Sequence, residues 1–174
     1  MKKNIRFACF LTSTVLVVAL SACGPRQQQN ASGSEVSAPV FDDEQLTGAY
    51  ERYIHLKDAL VTSDADKAKS EAAMLHAELG KIAEGENAAA LAAGIAGTTD
   101  LQAQRTAFSK LSNAMTELVK AAEVTDGEVY LAFCPMAMDD TGAYWLANEQ
   151  EIRNPYFGDK MMRCGEIKER WMNP

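Results

Sequence analysis

Two cysteines and a group of methionines are the residues whose types and spacing best suit chemistry. Cys134 and Cys164 stand 30 positions apart, and five of the eight methionines and both tryptophans fall between residues 134 and 174. Thiolate and thioether are soft donors that select Cu(I). Cys134 with Met136 on one arm, and Met161 with Cys164 on the other, supply two to four such ligands without histidine; Met138 and Met162 are alternates, because the adjacent Met161-Met162 pair cannot be told apart by spacing. Zinc asks for more Cys or His than this. The same two cysteines form a disulfide in an oxidising compartment, where closing such a loop contributes about 3 to 4 kcal/mol. A thioredoxin-like redox site would need Cys-x-x-Cys, which is absent. Metal site and disulfide both remain open from the residues alone.

Little else in the chain suits catalysis. His55 and His76, the only histidines, sit singly on separate helical patterns and read as surface or boundary residues. Met74 and Met115 lie at or beside core positions, where methionine fills gaps. The carboxylates are scattered without a close pair, so no catalytic residue is assigned and an enzyme is not expected. Lys+Arg is 17 against Asp+Glu 24, a net charge of −7 that argues against a nucleic-acid partner.

The chain begins with an address. Lys2, Lys3 and Arg6 precede an apolar run from Phe7 to Ala19, long enough for a signal segment and too short to span a bilayer. The run ends in Leu20-Ser21-Ala22-Cys23, which resembles a bacterial lipoprotein box; the alternative is ordinary secretory cleavage near Ala22. Residues 1–22 are thus expected to be a lipoprotein signal peptide, with Cys23 the lipidated residue and the lipid anchor its link to the membrane. Removing them takes away three basic residues and no acid, which moves the net charge from −7 to −10. Several acyl chains would make attachment durable. Residues 23–40 are polar and small and read as a flexible tether. Gly24 stands where an inner-membrane retention signal would place Asp, so outer-membrane sorting is expected.

The body must then position the sulfurs. Leu46, Ala49, Tyr53, Leu56 and Leu60 recur at helical spacing, with Asp42 or Asp43 as cap and Phe41 as a staple. Ala68, Ala72, Leu75, Leu79 and Ile82 repeat the rhythm after Ser63 or Asp64, until Gly85 ends it. Asn87 to Ala96 is a short alanine-rich helix, and Thr99 is expected to cap a fourth carrying Leu101, Phe108, Leu111, Met115, Leu118 and Ala122 to about Glu123. The pattern predicts a mainly α fold: an antiparallel bundle of about four helices over residues 41–123. Residues 124–174 are expected to form a small hairpin and loop region carrying the Cys/Met cluster, packed on the bundle. Glu128 to Phe133 reads as a strand, Ala143 to Leu146 as its returning partner, and Asn154 to Gly158 as a turn-rich loop.

Taken together, Cys134-Pro135-Met136-Ala137, Gly142-Ala143-Tyr144-Trp145-Leu146, Ile152 to Met161 and Cys164-Gly165 resemble the signature of a bacterial domain family of unknown function. That family occurs as stand-alone periplasmic proteins and lipoproteins, and as a C-terminal extension on periplasmic adaptor subunits of copper and silver efflux pumps. Leu56-Lys57-Asp58-Ala59-Leu60-Val61 and Phe108-Ser109-Lys110-Leu111-Ser112 are similar as well, so the resemblance spans roughly residues 46 to 168. It implies a copper-linked, periplasm-facing setting in the cell envelope and a metal-efflux component as partner. The expectation is therefore a lipoprotein that binds or handles Cu(I) through Cys134, Met136, Met161 and Cys164. Its alternative is a non-catalytic interaction module stapled by a Cys134–Cys164 disulfide, with Tyr144, Trp145, Tyr156 and Phe157 as core or docking face. Trp145 is expected to pack, with shielding of an ion as its other role.

Overall fold

The computed structural model describes residues 38–173; the expected signal peptide, the Cys23 lipidation site and the tether up to residue 37 lie outside these. Four helices make up nearly half of the described chain: α1 (Glu44–Val61), α2 (Ala65–Leu79), α3 (Glu86–Ala96) and α4 (Leu101–Ala121). They form a mainly α-helical bundle in which α1 packs on α2, α2 on α3 and α3 on α4. The order follows from short connections between amphipathic segments, which bury one another's stripes in sequence. Leu56, Leu60, Leu75, Leu79, Ile95, Phe108, Leu111 and Met115 are fully buried. Burying each of the larger ones contributes about 1.5–3 kcal/mol.

The helix starts are set by side-chain caps. Asp43 accepts from the backbone N–H groups of Gln45 and Leu46, and Asp64 from that of Lys67. At α4 the cap is Asp100, which accepts from Gln102 and Ala103, and not Thr99. A carboxylate one residue on meets the free N–H groups of the first turn better than the shorter threonine hydroxyl before it. Helix α2 stops at Leu79, earlier than the Ile82 stripe implies; Ile82 sits in the following turn, half-buried against the core. Phe41 does act near the start of α1, its ring edge-on to Tyr50 at 5.3 Å.

Two small antiparallel sheets complete the fold. Strand β1 (Val40–Phe41) pairs with β2 (Val124–Asp126), and Asp42 exchanges hydrogen bonds with the Glu123 backbone. The segment entering α1 is thereby stitched to the segment leaving α4, so structure begins within the last residues of the stretch read as tether. Strand β3 (Glu128–Cys134) is central in the second sheet, between β4 (Ala143–Ala147) and β5 (Glu166–Met172). The β3–β4 hairpin matches the pattern reading, whereas β5 was not expected as a strand. The antiparallel register pairs Cys134 with Ala143 and Phe133 with Glu166. It follows that the end of β3 and the approach to β5 lie side by side, and these carry the two cysteines. No helix among the described residues is long and apolar enough to cross a membrane.

Candidate functional site

The two cysteines meet. Cys134 is the last residue of β3 and fully buried, Cys164 lies two residues before β5 and is half-buried, and their Sγ atoms stand 2.7 Å apart with both thiols free. A disulfide needs about 2.05 Å between sulfurs. Two thiolates, each about 2.3 Å from one tetrahedral ion, stand roughly 3.8 Å apart. The observed contact lies between these, closer to the bond. The hydrogen bond with Cys134 holds the Cys164 proton, helped by burial and by the neighbouring sulfur's charge, and the thiol is pushed up from its ordinary 9.0 to about 11, with the Met136 backbone opposing this to a lesser degree.

The loop that returns the chain to this point is organised by Asn154, which is fully buried. Its amide donates to the Cys164 carbonyl at 2.7 Å, its side-chain oxygen accepts from the N–H groups of Tyr156 and Phe157, and its backbone N–H donates to the Met162 carbonyl. One side chain thus closes the loop from 154 to 164, the role of an Asx turn extended to a distant carbonyl. The Cys164 N–H bonds the Met161 carbonyl at 3.0 Å, which keeps Met161 and Cys164 within a single turn. Gly165 has φ +144°, and a Cβ there would come within 2.8 Å of the Trp145 ring, so the residue after Cys164 has no room for a side chain.

Three anchors fix this region to the bundle. Lys57 on α1 is fully buried and pairs with Glu149 at 2.5 Å and Asp58 at 3.3 Å, while Arg153 reaches Asp58 at 3.2 Å. Arg105 on α4 donates from Nε to the Pro155 carbonyl and from its terminal nitrogen to the Leu60 carbonyl and the Ser63 hydroxyl; burial lowers its pKa. The Tyr53 hydroxyl shares a hydrogen bond with Ser112 at 2.7 Å and accepts from the Leu146 N–H at 3.0 Å, and burial pushes its pKa well up. Around these anchors Tyr50, Tyr53, Phe108, Tyr156 and Trp145 form a chain of rings with successive centroids 5.2 to 6.2 Å apart, within the range of favourable aromatic contacts. Trp145 is 1% exposed and packs in this chain.

Lys57 and Arg105 went unassigned in the sequence, although a signal was there. Lys57 continues the spacing Tyr50, Tyr53, Lys57, Leu60, and Arg105 the spacing Leu101, Arg105, Phe108, Ser112; a cation on an apolar stripe asks for a buried partner.

The methionines are divided. Met136, 47% exposed, Met138 and Met161 line one groove of about 590 Å³ that does not include either cysteine among its walls. Met115 is in the core, whereas Met74 is exposed on α2 and not at the core boundary. The histidines are remote: His76 Nδ1 contacts the Ala89 carbonyl at 3.0 Å and His55 faces Glu71 at 3.7 Å. Among the described residues no three His, Cys, Asp or Glu side chains converge on a point that would hold a metal ion.

With this geometry in place the comparisons divide the molecule at an informative position. Residues 49–127 match the family model of a protein of unknown function, DUF3347. No curated protein and no solved structure matches the chain. The DUF3347 match runs from within α1 to the turn after β2 and stops one residue before β3. It takes in Lys57, Arg105 and Tyr53, the bundle's side of all three anchors, and ends before every sulfur of the site.

Proposed function

We propose that this protein handles a soft metal ion, Cu(I), at the Cys134–Cys164 pair, as a lipid-anchored, periplasm-facing protein connected with metal efflux or homeostasis. The observation that carries the reading is the meeting of a Cys-x-Met arm and a Met-x-x-Cys arm, with the two Sγ atoms 2.7 Å apart. Cys134 and Cys164 supply the two thiolates; the expected thioethers Met136 and Met161 line a groove that excludes both cysteines and would have to turn out of it to join them. Binding displaces the thiol protons to solvent, so affinity is coupled to pH. The envelope setting rests on the lipoprotein-like box at Cys23 and on the resemblance of the segment from Cys134 to Gly165.

A second reading has a specific observation of its own. The sulfurs need to approach by only about 0.7 Å to bond, whereas an ion between them requires them to part by about 1 Å. In this reading the pair is a disulfide that staples the loop 154–164 to β3, and the protein is a non-catalytic interaction module of an envelope complex. Anaerobic titration of the reduced protein with Cu(I) against a competing chelator separates the two. Under the first reading Cys134→Ser and Cys164→Ser each lower the affinity by orders of magnitude; unchanged affinity refutes it. A non-reducing mass that stays two hydrogens below the reduced one after mild reductant supports the second.

A further inference from the structure

Met136, Met138 and Met161 share the walls of one groove, and the cysteines are absent from those walls. Met138 is delivered there by an unusual backbone. Met138, Asp139 and Asp140 have φ of 53°, 55° and 61°, three consecutive side-chain-bearing residues in the left-handed region, a turn held by the Gly142 N–H on the Ala137 carbonyl at 2.9 Å. Each such residue is strained, and the turn persists because β3 and β4 pin both of its ends. Apolar burial is not what it gains, since Met136 is exposed and Met138 only half-buried. Asp139 and Asp140 line the same groove and offset the charges of Lys160 and Arg105, whose guanidinium is turned inward to three oxygen acceptors.

We propose that Met136, Met138 and Met161 form an outer, all-thioether site for a soft monovalent cation, Cu(I) or Ag(I), from which the ion passes to the buried cysteine pair. The proposal rests on the Cu(I) reading of that pair for its second half, but the outer site stands or falls separately. Thioethers are neutral at every pH and bind soft ions without losing a proton. Met136 links the two places along the chain: its side chain lines the groove, and it stands two residues after Cys134. In the transfer, thioether–metal bonds break, two sulfur–metal bonds form at Cys134 and Cys164, and two protons leave those thiols for solvent. The ion stays monovalent and no electron moves.

The test uses Ag(I) as silver nitrate in chloride-free buffer, because Ag(I) is soft and does not change oxidation state here. With Cys9→Ser and Cys23→Ser in both, two forms of the full-length protein lack free thiols: the one with its Cys134–Cys164 pair oxidised, and the one that also carries Cys134→Ala and Cys164→Ala. Each is expected to bind one Ag(I) by native mass spectrometry and to shift the methyl resonances of Met136, Met138 and Met161 but not those of Met74 and Met115. Met138→Leu, which keeps size and hydrophobicity, is expected to weaken binding roughly tenfold or more. Leucine at all three positions abolishes it. Absence of Ag(I) from both thiol-free forms, or binding that survives the triple substitution, overturns the outer site. Failure of the reduced wild type to bind Cu(I) overturns the cysteine reading instead, and leaves the Ag(I) result on the thioethers to decide the outer site.

Discussion

The bundle of α1 to α4 and the segment from Glu128 to Met172 share one core, yet they are specified in different ways. The bundle is built from local periodicity: each helix carries its own stripe and cap, and its neighbours in sequence are its neighbours in space. The second region depends on contacts across long separations, with Lys57 reaching Glu149, Arg105 reaching Pro155 and Tyr53 reaching Leu146. The DUF3347 match coincides with the first region and stops where the second begins. A helical platform thus holds, through three polar side chains, a segment that carries the cysteine pair. The difference teaches that the bundle's buried cations belong to the site's architecture as much as the loop residues do.

The largest effect should come from removing the Lys57 anchor. Lys57→Ala leaves Glu149 without its buried partner, and breaking such a pair costs about 3–5 kcal/mol. Urea denaturation should show this as a lower midpoint, with Lys57→Met losing less because it restores volume. A loss below about 1 kcal/mol would show that the Lys57–Glu149 pair is not one of the anchors that hold the two regions together.

Next in size is the proton held between the cysteines. Cys164 titrates near 11 in place of 9.0. In the folded protein the pair should therefore lose its second proton only near pH 11, about a hundredfold less thiolate than a free thiol at any pH well below both values. The folded state binds this proton more tightly than the unfolded chain, so its contribution to stability is complete below pH 9 and is lost as pH rises through 11. Cysteine Cβ chemical shifts followed with pH measure the titration, and Cys134→Ser should bring Cys164 back toward 9. A pair that titrates like two independent thiols means the sulfurs are not in contact.

What was legible in the sequence follows the same division. Helix positions, the β3–β4 hairpin and the sulfur cluster could be read because stripes, turns and residue types are local signals. Strand β5 could not, because Glu166 to Met172 alternates charges and lies at the sheet edge, where pairing with β3 is decided by register and not by propensity. The short β1–β2 pair is likewise a contact between chain segments more than eighty residues apart. Lys57 and Arg105 were visible only as interruptions of apolar stripes, and their partners lie in loops whose course depends on Asn154 and Gly165.

A smaller effect is expected at Asn154, which tests whether the loop is organised locally. Asn154→Ala leaves the Cys164 carbonyl and the N–H groups of Tyr156 and Phe157 without their partners. The cost should be about 1–3 kcal/mol, since these groups sit at the edge of the core where water reaches some of them. The more telling readout is the cysteine pair: disulfide formation under a fixed glutathione ratio should become less favourable, because Cys164 is no longer held beside Cys134. If stability falls while the cysteine equilibrium is unchanged, the strands β3 and β5 alone set the sulfur contact and the loop only follows.

The smallest effect belongs to the bundle's own candidate chemistry. His55 lies on α1 beside Glu71 and Arg52, with its side chain 42% exposed, and no sulfur of the site contacts it. His55→Ala should change stability by no more than about 0.5 kcal/mol, the range of surface substitutions. Cu(I) affinity should not change at all. This outcome is informative because histidine is an effective copper ligand in general, so a silent His55 means that donor placement, and not donor type, decides where a metal is held. A tenfold loss of Cu(I) affinity in His55→Ala would reverse the comparison drawn above: the helical platform would then supply ligands directly, and the segment from Cys134 to Cys164 would be only half of the site.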